Sequence, residues 1–137
     1  MKMNQLTGFI VDTVGDYADE IKLNEDLNRF RSAIHAETIL FPKVFLWEHP
    51  FRLVCDRSMM GVPSNKVSSK TPDGRTFTKG SILLFGYRED GKLRSLDPYE
   101  LRGILNNTQI TLVSDGPNVY NAYVIQGLDS KINIRCE

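Results

Sequence analysis

Polar and apolar positions alternate from Leu6 to Val14, with Phe9, Val11 and Thr13 opposite Ile10 and Asp12, which predicts an opening strand. Gly15–Asp19 reads as a turn, and the alternation resumes over Glu20–Leu23 as a short returning strand. Leu27, Phe30, Ala33 and Ile34 then recur at three- and four-residue spacing, which predicts a helix over 25–35 with Asn24 as its N-cap. Glu37–Phe41, Lys43–Trp47 and Phe51–Asp56 read as strands interrupted by Pro42 and Pro50, which cannot donate to a ladder. Ser81–Tyr87 is the clearest strand, its continuous apolar run predicting a central, buried position.

The second helix has the sharpest boundary. Asp97 is placed to cap it, Pro98 takes the first turn where no amide is needed, and Glu100 stands three residues after the cap. Leu101, Ile104 and Leu105 supply its apolar face, and Asn106-Asn107 a stop. Three strands are predicted beyond it, Gln109–Val113, Val119–Gln126 and Lys131–Arg135, the first two joined by Ser114–Asn118. The expected fold class is α+β: a single domain over 1–137, a mostly antiparallel sheet, and two helices packed on one face.

At 137 residues the chain can bury a core without metal or disulfide staples. Cys55 and Cys136 are too few for a secreted disulfide scaffold and are expected as reduced thiols. No apolar run reaches the roughly 18–20 residues of a membrane span. The opening Met1–Gln5 lacks the apolar stretch of a signal peptide, so the expected compartment is the cytoplasm.

The formal net charge is zero, which excludes a wholly basic nucleic-acid coat. The sum hides a gradient. Residues 1–41 carry seven acids and four bases, residues 42–102 seven acids and eleven bases, and residues 103–137 three acids and two bases. The excess is narrowest over Arg52–Arg94, with nine bases against four acids. Within it Arg57–Lys79 is long, polar and poor in apolar residues, with a turn signal at Thr71-Pro72-Asp73-Gly74. A segment of that length is functional, mobile or a small hairpin. Arg57, Asn65, Lys66, Lys70, Arg75 and Lys79 are its candidate binding residues, the bases spread so as to follow phosphates.

Catalytic spacing is missing. His35 and His49 have no C-x-x-C or H-E-x-x-H partner, so neither a metal nor any other cofactor is expected. His35 instead suits a helix C-terminus. Cys55 lies in an apolar strand beside Asp56, whose charge disfavours a thiolate. Asp12 with Asp16, and Glu89 with Asp90, read as solvated turn carboxylates. No phosphate-binding glycine motif occurs.

Four segments stand in order: Cys55-Asp56, Gly61-Val62-Pro63-Ser64-Asn65-Lys66, Gly80-Ser81-Ile82-Leu83-Leu84-Phe85-Gly86, and Ser95-Leu96-Asp97 opening a helix. Together with Glu20-Ile21 and Ile34–Ile39 upstream, they resemble a family of unknown function carried by phages, plasmids and integrative elements of bacteria, over roughly residues 8–107. Lys66 stands where that pattern has arginine. The resemblance implies a small non-membrane accessory protein of a mobile element and assigns no activity.

The function expected is therefore a non-enzymatic binding module for a host protein or nucleic acid, with Arg57–Lys79 as its contact surface. Two alternatives stand beside it. One is a small-molecule or nucleotide enzyme using Asn65, Lys66 and Asp56; the other is a subunit that pairs with another chain through C-terminal strands such as Lys131–Arg135.

Overall fold

The computed structural model describes residues 5–57, 67–70, 72 and 76–128. In chain order, β1 (Gln5–Asp12), β2 (Tyr17–Asn24), α1 (Leu27–Ile34), β3 (Ile39–Leu40), β4 (Lys43–Leu46) and β5 (His49–Asp56) come first. They are followed by β6 (Val67–Lys70), β7 (Thr76–Lys79), β8 (Ile82–Tyr87), β9 (Leu93–Arg94), α2 (Pro98–Asn106), β10 (Thr108–Asp115) and β11 (Asn118–Ile125). The architecture is α+β, and among the described strands all but one pairing is antiparallel.

The larger sheet runs β2-β1-β8-β5, with β3 and β4 in succession along the outer edge of β5 and β9 beside β8. Pro42 separates β3 from β4, as a residue without an amide must. Its carbonyl still accepts from the Leu53 amide, so β5 loses little where its neighbour changes. The smaller sheet runs β10-β11-β6-β7, and its β6–β11 pairing is the parallel one. Part of the segment that reads as a loop is thus a hairpin built into a sheet.

β8 is central, as its apolar run predicts, and is buried on both sides. Phe9, Val11, Phe51, Leu53, Ile82 and Leu84 turn to one face of the larger sheet, under Leu101 and Ile104 of α2 and Tyr123 and Ile125 of β11. Leu6, Ile10, Val54, Leu83 and Phe85 turn to the other, under Phe30 and Ile34 of α1. The expectation that both helices share one face is corrected. β1, β5 and β8 are apolar at successive positions, so each face needs its own cover.

Local chemistry sets the helix ends. β2 continues to Asn24, so the cap of α1 moves to Asp26, whose carboxylate accepts from the Asn28 amide at 2.9 Å. The helix stops at His35, which takes the left-handed conformation (φ 57°) more often given to glycine. Leu27, expected in the buried stripe, is 50% exposed, and the stripe reduces to Phe30 and Ile34. α2 starts as read: Asp97 accepts from the Glu100 amide at 2.8 Å and Glu100 returns a bond from the Asp97 amide at 2.9 Å. The short β9 was not legible, and the expected strand Lys131–Arg135 lies outside the described residues.

Candidate functional site

Of the expected binding residues, Asn65, Lys66 and Arg75 lie outside the described residues. Arg57 follows β5 and is exposed, its amide donating to the Thr38 carbonyl at 3.0 Å. Lys70 closes β6 opposite Thr76, whereas Lys79 closes β7 opposite Val67. These two lysines therefore sit at opposite ends of one hairpin. Asp56 is half-buried at the end of β5, paired with Ile39.

A second region is built around Trp47. β4 and β5 are joined by the two-residue turn Trp47-Glu48, and both residues have positive φ, 50° and 67°. A type I′ turn demands that geometry and usually recruits Asn-Gly for it. Two bulky residues in the left-handed region cost roughly 1 kcal/mol each, so the surroundings must hold them. The Trp47 amide donates to the Gly127 carbonyl at 2.8 Å, and Leu46 bridges Leu128. The indole lies against Gly127 and comes near Gly103 of α2, where a Cβ would stand 3.9 Å from the ring. Two glycines leave the room that one tryptophan fills.

Between this turn and α2 lies a cavity of about 310 Å³ whose wall includes Trp47, His49, Phe51, Tyr99 and Asn107. Tyr99, at the second position of α2, is 83% exposed and Trp47 43%. Glu100 brings a carboxylate to the same wall, but that charge is already answered. Arg94 grips it through its two terminal guanidinium nitrogens at 2.7 and 2.8 Å. The Arg94 hydrogen bond, helped by the Asp97 amide against the effect of burial, holds the Glu100 carboxyl below its usual range. What remains open is mostly apolar and aromatic: a surface suited to a flat or aliphatic group rather than to an ion.

A cavity of about 470 Å³ lies by the N-terminus of α1, lined in part by Asp26, Phe30, Phe41 and Arg52. Two of its polar side chains, Arg52 and Asp26, are committed to the fold. Arg52 donates to the Gly91 carbonyl at 3.0 and 3.2 Å and to the Phe41 carbonyl at 2.8 Å, and Asp26 caps the helix.

Asp12 departs from the sequence reading. It is 9% exposed, and its carboxylate accepts from the Val14 and Gly15 amides at 2.9 and 3.0 Å and from the Ser81 hydroxyl at 3.4 Å. His35 Nε2 stands 3.6 Å from the same oxygen. Burial pushes this carboxyl up, but the Gly15 and Val14 amides, the nearby His35 and the Ser81 hydroxyl outweigh it and hold it below the usual range. The Tyr17 phenol is pushed up, by burial and then by the Asp12 charge. A Ser-His-Asp triad places the imidazole between hydroxyl and carboxylate. Here the carboxylate takes the middle position, so the cluster is not such a triad; it ties the β1–β2 turn to β8 and to the end of α1.

Cys55 is buried in β5. Among the described residues, no group of three His, Cys, Asp or Glu side chains is placed to hold a metal ion, and no helix is long and apolar enough to cross a membrane. Sequence reasoning missed the Trp47 region because it put His49 and Pro50 in a longer loop. The available signal was two alternating runs brought within two residues of each other at Leu46–His49. No protein-family model, curated protein or solved structure matches the chain.

Proposed function

We propose that the protein is a non-enzymatic binding module that docks an apolar segment of a partner protein in the cavity between the Trp47 turn and α2. The observation that carries this reading is the pairing of Trp47 and Tyr99, two large aromatics left open on a wall whose one carboxylate is already paired. Aromatic side chains in a pre-shaped apolar pocket are the usual anchors of protein interfaces. The strained turn belongs with this role, since strain that persists in a fold tends to mark positions held for function. The order of the Gly61–Lys66, Gly80–Gly86 and Ser95–Asp97 segments supports, through resemblance, a small accessory protein of a mobile element.

Trp47 is the one tryptophan of the chain, so its fluorescence reports the site directly. Peptides selected from a displayed random library on the wild-type protein are expected to shift that emission. Tyr99→Ala, which removes an exposed ring, is expected to weaken them about 30-fold, the size of a 2 kcal/mol hot spot. Peptides that bind Tyr99→Ala as well as wild type, leaving Trp47 emission unmoved, would place the binding surface elsewhere. Retardation of a DNA or RNA fragment that weakens steeply with salt would instead favour a nucleic-acid partner.

A further inference from the structure

Among the described strands, β10 forms the edge of the smaller sheet. β10 pairs with β11 over all eight of its residues, from Thr108↔Ile125 to Asp115↔Asn118, and among the described strands has no neighbour on its other side. Every second residue of such a strand turns its amide and carbonyl outward. Soluble proteins blunt edges of this kind with lysine, proline, a bulge or a cover. β10 has none of the first three: its sequence is Thr-Gln-Ile-Thr-Leu-Val-Ser-Asp, and its register with β11 is unbroken. Ile110 is 62% exposed and Leu112 73%, two positions apart and therefore on one face. Val119 on β11 is 65% exposed and pairs with Ser114, adding a third apolar side chain to that face.

We propose that β10 is the surface through which two copies of this chain associate, each laying its β10 antiparallel along that of the other. Self-complementarity selects this occupant. With Thr111 placed against its symmetry mate, Ile110 of each copy faces Leu112 of the other, twice across the axis. In the same register position 109 falls opposite 113, 108 opposite 114, and 115 opposite 107. The strand's one charged position thus falls opposite an asparagine, so no like charges are opposed, and the exposed apolar pairs cover each other. A one-residue slip would bring position 110 opposite 113 and break the match between the two apolar pairs. The result is one continuous sheet across an isologous two-fold axis, the commonest form of homodimer. This surface touches the wall of the Trp47 cavity at Asn107, but the positions that carry it, 110 to 112, lie outside that wall, and either assignment can fail without the other.

The test uses the full chain. Sedimentation over a concentration series is expected to show a monomer–dimer equilibrium, and Leu112→Lys or Ile110→Glu to weaken it at least tenfold. Val14→Lys, which alters an apolar side chain 71% exposed in the β1–β2 turn, is expected to leave it unchanged. Mixing Leu112→Lys with Ile110→Glu sets the two new charges opposite each other and is expected to restore association. In a Cys136→Ser background, Thr111→Cys is expected to form a disulfide-linked dimer on mild oxidation, because paired Cβ atoms stand about 4.5–5.5 Å apart, and Gln109→Cys is not. A chain that stays monomeric at every concentration overturns the proposal. So does a dimer that survives Leu112→Lys, or one that cross-links through position 109 in preference to 111.

Discussion

The indole of Trp47 fills the space that a side chain at position 127 would need: a Cβ on Gly127 would collide with ring atoms Cδ2 and Cε2. The Trp47 amide also bonds the Gly127 carbonyl, so ring and backbone are fixed by the same residue. Gly127→Ala is therefore expected to push the ring out of its seat and destabilise the fold by about 1–3 kcal/mol, the range for overpacking. Urea unfolding gives the second quantity and the emission of the sole tryptophan the first. Unchanged emission together with an unchanged midpoint would mean that the ring does not rest on Gly127.

The turn makes an opposite prediction. Glu48 holds φ 67° with an exposed side chain. Glycine relieves the left-handed strain, although it raises the entropy of the unfolded chain by a smaller amount. Glu48→Gly is expected to stabilise the protein by about 0.5 kcal/mol, read as a higher urea midpoint with an unchanged slope. A loss of stability would show that the Glu48 side chain supports the turn by a contact worth more than the strain.

Asp12 couples stability to acid. Its carboxyl is held below its ordinary value of 3.8, so the folded state favours the ionised form. The resulting stabilisation is fully present above the unfolded value and is lost as pH falls through the lower, folded one. Asp12→Asn keeps the shape and removes the charge, and is expected to cost about 1–2 kcal/mol at pH 7, the scale of hydrogen bonds to a charged group. The gap between wild type and variant is expected to close only below about pH 3.8. A gap that stays constant well below that pH would assign the loss to shape rather than to charge.

The contrast between Asp97 and Asp12 shows how far the sequence could be read. Asp97 acts on the amide three residues away, so spacing alone revealed its capping box. Asp12 reads as a turn acid like any other, because what buries it comes from Ser81 and His35, far along the chain. The β8 run was legible for the same local reason as Asp97: Ile82–Phe85 is apolar at every step and had to be central. Which helix covers which side of that strand was not legible, since it depends on connections rather than on pattern. The Trp47 site is the extreme case, assembled from a turn, the middle of α2 and the segment after β11. Nothing at Trp47-Glu48 advertises positive φ, because the residues that favour it are absent and distant packing imposes it.

The placement of the helices on opposite faces can be tested by additivity. Phe30 of α1 packs with Phe85 at a ring distance of 5.5 Å on one side of the sheet, while Ile104 of α2 packs with the core on the other. Phe30→Leu and Ile104→Val remove little volume from each face and are expected to cost about 1 kcal/mol apiece. Residues that share no partner and lie on either side of a sheet contribute independently, so the double variant should equal the sum of the singles within about 0.5 kcal/mol. Two helices sharing one face would relax into the same space, and their variants would couple by more than that. Urea midpoints of the four proteins decide between these arrangements, and a coupling above about 1 kcal/mol would place both side chains in one core.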